Sequence, residues 1–554
     1  MTKTVNIRCK NTGKTHKVPA GFNLEDVYEM LELNMPYGCT SAKVNNKVEG
    51  LHYMIFSDKD VEFLDVTSQS GMRTYTRSLF FVLVKAVEDL FPNVKIFIDT
   101  PVSKGYYCRL VGLEKTLTVD MVDALRNRMK EIIDANMQYH RRMAPTEEVI
   151  KLFRSRGMED KALLLESYGK LYAPYYILDD SIDYFYGSLL VRTGQIKVFD
   201  IVPYYDGLLL RVPDPKNPTE LQPLVEQKKM FSVVEELHRW QSIMGASTIG
   251  EINKGNQMGY ANQMIIISEA LQEKKISQLA DRIAANPEKR VILIAGPSSS
   301  GKTTFAKRLA VQLWACGKKP FSIELDNYFV DREFTPRDES GEYDFEHIDA
   351  MNIELLNEHI QKLLNGEEVE LPKYNFQTGK SEKSGRKMKL KPENMLILEG
   401  IHALNPKLTA HVPASTKFHI YASALTTIML DHHNYIPMSD NRLLRRIVRD
   451  YKYRGYSAEQ TIRRWPSVRA GEEKWIFPFQ EEADVMINTA LLFELAALRP
   501  QAMALLEQVP EHSPEYSEAH RLRKFLDYLV PIPIEGLPPT SLLREFLGGS
   551  TFNY

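Results

Sequence analysis

The residues best suited to chemistry lie in one stretch, GPSSSGKTT, from Gly296 to Thr304. Its first eight residues match the pattern G-x-x-x-x-G-K-[ST], in which backbone N–H groups surround the phosphates of a nucleoside triphosphate. Gly296 and Gly301 have no Cβ atom, so the chain can turn tightly around an anion. Lys302 supplies a positive charge for the terminal phosphates, and the Thr303 hydroxyl is suited to hold Mg²⁺. The stretch therefore predicts a site for a nucleoside triphosphate and Mg²⁺.

A predicted strand and a predicted helix flank this loop. The run VILI at 291–294 is apolar and rich in β-branched residues, which is typical of a strand covered on both faces. The segment FAKRLAVQLWACG has helical apolar spacing and ends at Gly317. The positive N-terminus of this helix favours an anion. The predicted nucleotide-binding residues are Gly296, Pro297, Ser298, Ser299, Ser300, Gly301, Lys302, Thr303 and Thr304.

Strands and helices alternate from about residue 290 to 490, which predicts a mostly parallel sheet with helices on both faces. In such sheets ligands bind at the carboxyl ends of the strands. The strand PFSIEL leads into Asp326, and the strand MLILEGI carries Glu399. Further predicted strands are KFHIYA and ADVMINT. We therefore expect both carboxylates to lie beside the phosphate loop.

Six segments of this region, in family order, resemble the uridine kinase and phosphoribulokinase family of P-loop kinases. They are GPSSSGKTT, DNYF, YDFEHIDAMN, LPKYNF, LILEGI and DNRLLRRIVRDYKYRG. The resemblance covers about two hundred residues and implies transfer of a phosphoryl group from ATP to a hydroxyl. This reaction depends on positioning and charge neutralisation more than on covalent chemistry.

The resemblance also implies a role for each matching residue. Asp326 is expected to take the proton of the acceptor hydroxyl, and Glu399 to hold Mg²⁺ together with Thr303. Arg445, Arg449 and Arg454 are spaced to lie near one helix face. The resemblance makes them part of a lid that meets the charge of the transferred group. The predicted acceptor-binding residues are Tyr328, Glu346, His347, Tyr374, Phe376 and Arg446.

Three positions depart from the family pattern. Glu346 stands where uridine kinases have an aspartate for the ribose hydroxyls, Gly379 where they have a histidine that reads the base, and Tyr456 where they have a lid arginine. The expected acceptor is the 5′-hydroxyl of a nucleoside, with loose preference for the base. One alternative is a kinase for another sugar or alcohol. Another is a regulatory ATPase that binds tRNA or other RNA.

The front of the chain resembles threonyl-tRNA synthetases. Residues 1–67, with the segment AKVNNKVEGL, resemble the small α+β TGS domain, and residues 70–235 resemble the editing domain that follows it. Arg77 and Phe81 stand at the positions of the H-x-x-x-H histidines. Since these side chains cannot ligate zinc, we expect a folded region that lacks the metal site and the editing chemistry.

Length and composition set further limits. The chain has 554 residues, which predicts several domains, and its formal net charge is −2, which gives no overall attraction to nucleic acid. Four scattered cysteines and no long apolar run fit a cytoplasmic protein with no membrane span. A homo-oligomer is compatible with these features. The remaining predicted units are a helical connector pair at 236–289, a kinase unit at 290–490 and a helical extension at 491–554 that covers the sheet edge.

Overall fold

A computed structural model describes residues 3–338 and 341–553. The first five strands form one mixed sheet in the order β2-β1-β5-β3-β4. The first two strands pair antiparallel as a hairpin, and the Asn23 side chain caps the first helix. The elements are β1 (Thr4–Cys9), β2 (Lys14–Pro19), α1 (Leu24–Met30), β3 (Ser41–Val44), β4 (Lys47–Glu49) and β5 (Lys59–Leu64).

A long buried helix organises the next region. Helix α2 (Gln69–Leu90) packs with a four-stranded sheet, β11-β12-β7-β6, while β10-β9-β8 form a second sheet. The further elements are β6 (Lys95–Val102), β7 (Gly105–Val111), α3 (Val119–Asp134), β8 (His140–Pro145), α4 (Thr146–Ser155), α5 (Glu159–Glu166), β9 (Tyr172–Leu178), β10 (Ser181–Asp183), β11 (Asp200–Tyr204), β12 (Gly207–Arg211), β13 (Pro213–Asp214) and β14 (Asn217–Leu221).

Three helices connect this region to the next sheet: α6 (Lys228–Met244), α7 (Ile249–Gln257) and α8 (Ala261–Ala284). The prediction of a helix pair is therefore wrong in number. Gly245 adopts a left-handed conformation (φ 57°) and ends α6, and Thr248 forms a capping box that starts α7.

The second half contains a fully parallel sheet in the order β16-β19-β15-β20-β23, which confirms the predicted α/β fold. Ile292 and Ile294 enter one core and Val291 and Leu293 the other, so both faces are covered. The elements are β15 (Val291–Ala295), α9 (Lys302–Ala315), β16 (Lys319–Glu324), α10 (Ile353–Leu364), β17 (Glu368–Asn375), β18 (Lys380–Lys389), β19 (Asn394–Glu399), β20 (Lys417–Ser423), β21 (Met429–Asp431), β22 (Asn434–Tyr435), α11 (Met438–Arg454), α12 (Ala458–Trp475) and β23 (Val485–Asn488).

The C-terminal extension is helical, with α13 (Glu494–Leu506), α14 (Tyr516–Leu526) and α15 (Arg544–Leu547). Helix α13 packs on α11 and α14, and α15 also contacts α11. Within the described ranges, no helix has both the length and the apolarity that a membrane span requires.

A buried charge network joins the two halves of the chain. Lys161 Nζ lies 2.9 Å from an oxygen of Asp183 and 2.8 Å from an oxygen of Asp431, and all three side chains are almost fully buried. His433 Nδ1 pairs with the second oxygen of Asp183 at 2.7 Å. Because Asp431 and His433 belong to the hairpin β21–β22, the network ties the second half to the region around α5.

Replacement of Lys161 by methionine is expected to destabilise the protein strongly. It would leave two buried carboxylates without their cation, and breaking a buried ion pair costs about 3–5 kcal/mol. The measurement is the urea midpoint followed by fluorescence. Lys228→Met, at an exposed pair with Glu226, serves as the control and should leave the midpoint unchanged. An unchanged midpoint for Lys161→Met would contradict the stabilising role of the network.

Candidate active site

The phosphate loop between β15 and α9 requires its two glycines. A Cβ atom at Gly296 would lie 2.0 Å from the carbonyl oxygen of Ala422. Gly301 has φ +79° and begins α9, in a conformation that other residues rarely adopt. The sequence pattern therefore coincides here with a local backbone requirement.

Buried side chains hold the carbonyl groups of the loop. Arg442 Nη1 donates to the Ser298 carbonyl at 3.0 Å, and Arg445 Nη1 donates to the Ser299 carbonyl at 3.4 Å. The Thr489 hydroxyl donates to the Ser300 carbonyl. Fixing these carbonyl groups also fixes the orientation of the peptide units that carry the N–H groups of the loop.

We call Arg442 and Arg445 the clamp arginines, and each of them is itself held by a buried carboxylate. Arg442 pairs with Glu472 and Arg445 with Glu494, with the closest contacts at 2.5 and 2.7 Å. Arg445 has no exposed surface, and its guanidinium also donates to the Thr489 carbonyl. The predicted direct catalytic role of Arg445 does not fit this geometry, because its donors are engaged away from solvent. It supports the loop instead.

The predicted metal ligands lie together at the mouth of the loop. The Thr303 hydroxyl donates to Glu399 Oε2 at 3.2 Å, and Lys302 Nζ lies 3.8 Å from Glu399 Oε1. Burial is the main cause that raises the pKa of Glu399 to about 8; Lys302 opposes the shift, and the nearby carboxylates of Asp326 and Glu324 act in the same direction as burial. A buried carboxylate beside a hydroxyl is a hard oxygen donor set, so these residues fit Mg²⁺.

Glu346 has the properties of a ligand for hydroxyl groups. Burial raises its pKa to about 7; Glu472 and Asp326 act in the same direction, and Arg446 and Lys302 oppose it. Its Oε2 atom is buried and has no hydrogen-bond partner among the described residues. These interactions place Glu346 near Asp326 and Lys302, beside the phosphate loop.

Aromatic side chains form the adjoining wall. Tyr374 packs against Phe329 and Phe376, with ring centroids 5.5 and 5.1 Å apart, and its hydroxyl has no partner among the described residues. Phe376 is 54 % exposed and available for stacking. The His347 ring contacts the Trp475 ring edge-on at 4.5 Å.

Tyr328 does not belong to this wall, contrary to the prediction. It is 1 % exposed, and its hydroxyl pairs with His359 Nδ1 of α10 at 2.9 Å. Its side chain therefore packs in the core beneath the site, where burial raises the pKa of the phenol. The sequence motif places the residue correctly but does not determine which way the ring points.

Three arginines of α11 converge on one carboxylate. Asp450 lies 3.2 Å from Arg446, 2.8 Å from Arg449 and 3.7 Å from Arg454. Arg446 also donates to the Ser298 hydroxyl at 2.7 Å, which brings it to the phosphate loop. The charge of the neighbouring Arg449 is the main cause that lowers the pKa of Arg454 to about 10. An anion between the two guanidinium groups would offset this repulsion.

Sequence reasoning missed several residues of the site. Asp450 and Glu472 were hidden among the many charged residues of α11 and α12. His402, three residues after Glu399, is 1 % exposed, and burial lowers its pKa to about 3. Arg332 was also missed. Its side chain occupies the space beside Gly379, since a Cβ atom on Gly379 would lie only 2.7 Å from the Arg332 Nε atom.

The C-terminal extension reaches the phosphate loop, which corrects the expectation that it only covers the sheet edge. Glu545 of α15 accepts hydrogen bonds from the Thr304 backbone N–H at 3.2 Å and from its hydroxyl at 2.6 Å. The Leu542 side chain would lie 2.4 Å from a Cβ atom at Gly301. A carboxylate thus lies against a backbone donor of the predicted nucleotide site.

The substitution Glu545→Gln should strengthen the binding of ATP. The carboxylate of Glu545 would repel the phosphates of ATP. Two unit charges about 4 Å apart in bulk water interact by about 1 kcal/mol, so removing one of them should lower the Kd by about fivefold. The measurement is a calorimetric titration with ATP. Glu535→Gln changes an exposed carboxylate of the same segment and serves as the control. Unchanged or weaker binding by Glu545→Gln would show that Glu545 does not compete with the nucleotide.

Comparisons with known proteins agree with this geometry. The model of the phosphoribulokinase/uridine kinase family matches residues 291–492. The chain is 32% identical to a uridine kinase of Halobacterium salinarum over 196 residues, which cover 35% of this chain and 77% of the relative. A uridine kinase of Staphylococcus aureus is 32% identical over 199 residues, which cover 36% of this chain and 86% of that protein.

A third relative is of another kind. A threonine–tRNA ligase of Clostridium tetani is 26% identical over 200 residues, which cover 36% of this chain and 31% of the ligase. The P-loop kinases of the matching family use ATP and Mg²⁺.

The family model and the two uridine kinases, matched over most of their length, show that this chain belongs to the phosphoribulokinase/uridine kinase family.

Proposed function

We propose that the protein transfers the γ-phosphoryl group of ATP to the 5′-hydroxyl of a nucleoside. The observation that carries this proposal is Glu346, whose buried carboxylate oxygen has no partner among the described residues. A carboxylate is a strong acceptor for a pair of vicinal hydroxyl groups. The position of Glu346 near Lys302 and Asp326 would bring a ribose next to the donor phosphates.

The phosphate loop would bind the ATP that donates the phosphoryl group. Its backbone N–H groups and Lys302 hold the phosphates of ATP. Thr303 and Glu399 would hold Mg²⁺, which would neutralise part of the phosphate charge. Because burial favours the protonated form of Glu399 below a pH of about 8, cation and proton compete for this carboxylate.

Different residues would activate the acceptor and stabilise the charge of the transferred group. Asp326 follows β16 in a short 3₁₀ turn, and it interacts electrostatically with Glu399, Glu346 and Arg454. We assign it the proton of the acceptor hydroxyl. Arg449 and Arg454, whose charges repel one another, would receive the negative charge of the phosphoryl group.

Arg332 offers a means of reading the base. Its guanidinium donates to the Phe376 carbonyl at 2.6 Å, and its Nε has no partner among the described residues. Because arginine has donors and no acceptor, it favours a base with a carbonyl oxygen at the position where cytosine and adenine carry an amino group. The proposed order is therefore uridine above cytidine and inosine above adenosine, with pyrimidines and purines both accepted.

The test compares kcat/KM for uridine, cytidine, inosine, adenosine and ribose. One hydrogen bond from a charged donor contributes about 1.5–3 kcal/mol, so each keto nucleoside should exceed its amino counterpart by about tenfold or more. The preference should disappear in Arg332→Gln. Activity on ribose but on no nucleoside would favour a sugar kinase, and ATP turnover stimulated only by tRNA would favour an RNA-dependent ATPase.

Asp326→Asn provides the mechanistic control in the same assay. An amide cannot accept the proton, and general-base catalysis contributes about 10²- to 10⁴-fold. We expect turnover to fall by that factor while ATP binding persists. Asp331→Asn, which removes a surface carboxylate paired with Lys380, should remain within twofold of the unmodified protein. Near-normal turnover of Asp326→Asn would refute its role as base.

A further inference from the structure

A large basic cavity lies outside the kinase site. It has a volume of about 660 Å³ and is lined by residues of β4 and the loop after it, α2, β8, the loop at 185–188 and α14. Eight lysine and arginine side chains line it against three carboxylates. Since the whole chain carries a net charge of −2, this positive excess is a local feature.

The cations of the cavity fall into two groups, those with a carboxylate partner and those without one. Five of the eight cations have carboxylate partners: Lys47 pairs with Glu49, Lys170 with Asp527, Arg73 and Arg521 with Glu518, and Arg523 with Glu507. In the part of the chain that the structure describes, no ion pair includes the other three cations of the wall. These are Arg77, Arg141 and Lys524.

Arg77 is held in one orientation. Its Nε donates to the Ser188 carbonyl at 3.1 Å, and its Cζ lies 5.8 Å from the centre of the Tyr186 ring. A Cβ atom at Gly187 would come within 2.3 Å of that Cζ, so glycine is needed to leave room for the guanidinium. The residue at the expected place of a zinc-binding histidine thus presents a fixed planar cation.

The cations of the cavity repel one another. Burial, with Arg77 and Arg141 acting in the same direction, lowers the pKa of Lys524 to about 8, while Glu49 opposes this shift. Burial and the charges of Lys47 and Lys524 lower the pKa of His520 to about 4. Keeping such groups together costs stability, and a bound anion would offset that cost.

We propose that this cavity binds a small molecule that carries two or more phosphate groups. The volume falls within the range of about 300–1,000 Å³ that is usual for small-molecule sites. Arginine forks match the geometry of phosphate oxygens and can bind them in pairs. Arg77, Arg141 and Lys524 come from three separate elements, so an anion between them would bridge α2, β8 and α14.

The cavity wall is also connected to the kinase site. Arg521 of α14 donates to both oxygens of Asp440, at 2.6 and 2.8 Å. Asp440 lies in the first turn of α11, the helix that carries the lid arginines. The half-buried Glu518 joins Arg521 to Arg73 of α2. An occupant of the cavity would therefore bind beside residues that hold α11 in place.

The test uses pyrophosphate as the probe and the full chain carrying Lys302→Ala, which weakens binding at the phosphate loop. Calorimetry should show one saturable site per chain, with affinity that falls as salt rises. Adding both Arg141→Gln and Lys524→Gln should weaken the affinity at least tenfold. Arg142→Gln, an exposed neighbour that does not line the cavity, is the matched control and should leave the affinity unchanged.

A second readout separates ligand binding from a structural role. Because Lys524 is held against other positive charges, Lys524→Gln should preserve or raise the thermal midpoint while it weakens pyrophosphate binding. The proposal is overturned if pyrophosphate does not bind saturably or if the double substitution leaves the affinity unchanged. Citrate binding as tightly as pyrophosphate would overturn the preference for phosphate, and binding of tRNA but not pyrophosphate would replace the small molecule by RNA.

Discussion

The active site depends on two buried ion pairs, Arg442–Glu472 and Arg445–Glu494. The arginines hold carbonyl groups of the phosphate loop, and the carboxylates pair with the arginines and orient them inside the protein. A buried ion pair adds little net stability, because desolvation offsets its attraction. These ion pairs fix the geometry of the loop instead. A loop that is already in place before the nucleotide binds needs little reorganisation to stabilise the charge of the phosphates.

The rest of the chain is built around this fixed loop. Helix α11 supplies both clamp arginines and the lid arginines, so the loop and the lid share one rigid element. The C-terminal extension supplies Glu494 and places Glu545 on Thr304. The front half is attached through Lys161 and the hairpin β21–β22. The kinase site is thus in physical contact with segments far away along the chain.

Much of the fold could be predicted from sequence because its signals are local. The apolar run at 291–294, the glycine loop and the helix after it lie within about thirty residues. Asp326 follows β16 and Glu399 ends β19, and these two strands are parallel neighbours whose carboxyl ends lie together. The direction of side chains was less accessible. Arg445 and Arg449 are one helical turn apart, yet Arg445 points to Glu494 and Arg449 to Asp450. The role of Glu545 could not be predicted, since its partner Thr304 lies 241 residues away.

The most direct test of the account follows the phosphorus atoms of ATP. The full chain, with Mg²⁺, ATP and uridine, is observed by ³¹P nuclear magnetic resonance. Transfer to a hydroxyl predicts that each ADP formed is matched by one phosphomonoester, and that inorganic phosphate does not accumulate. ATP consumed to give ADP and inorganic phosphate, with no phosphomonoester for any nucleoside, would contradict the assignment of this site as a nucleoside kinase.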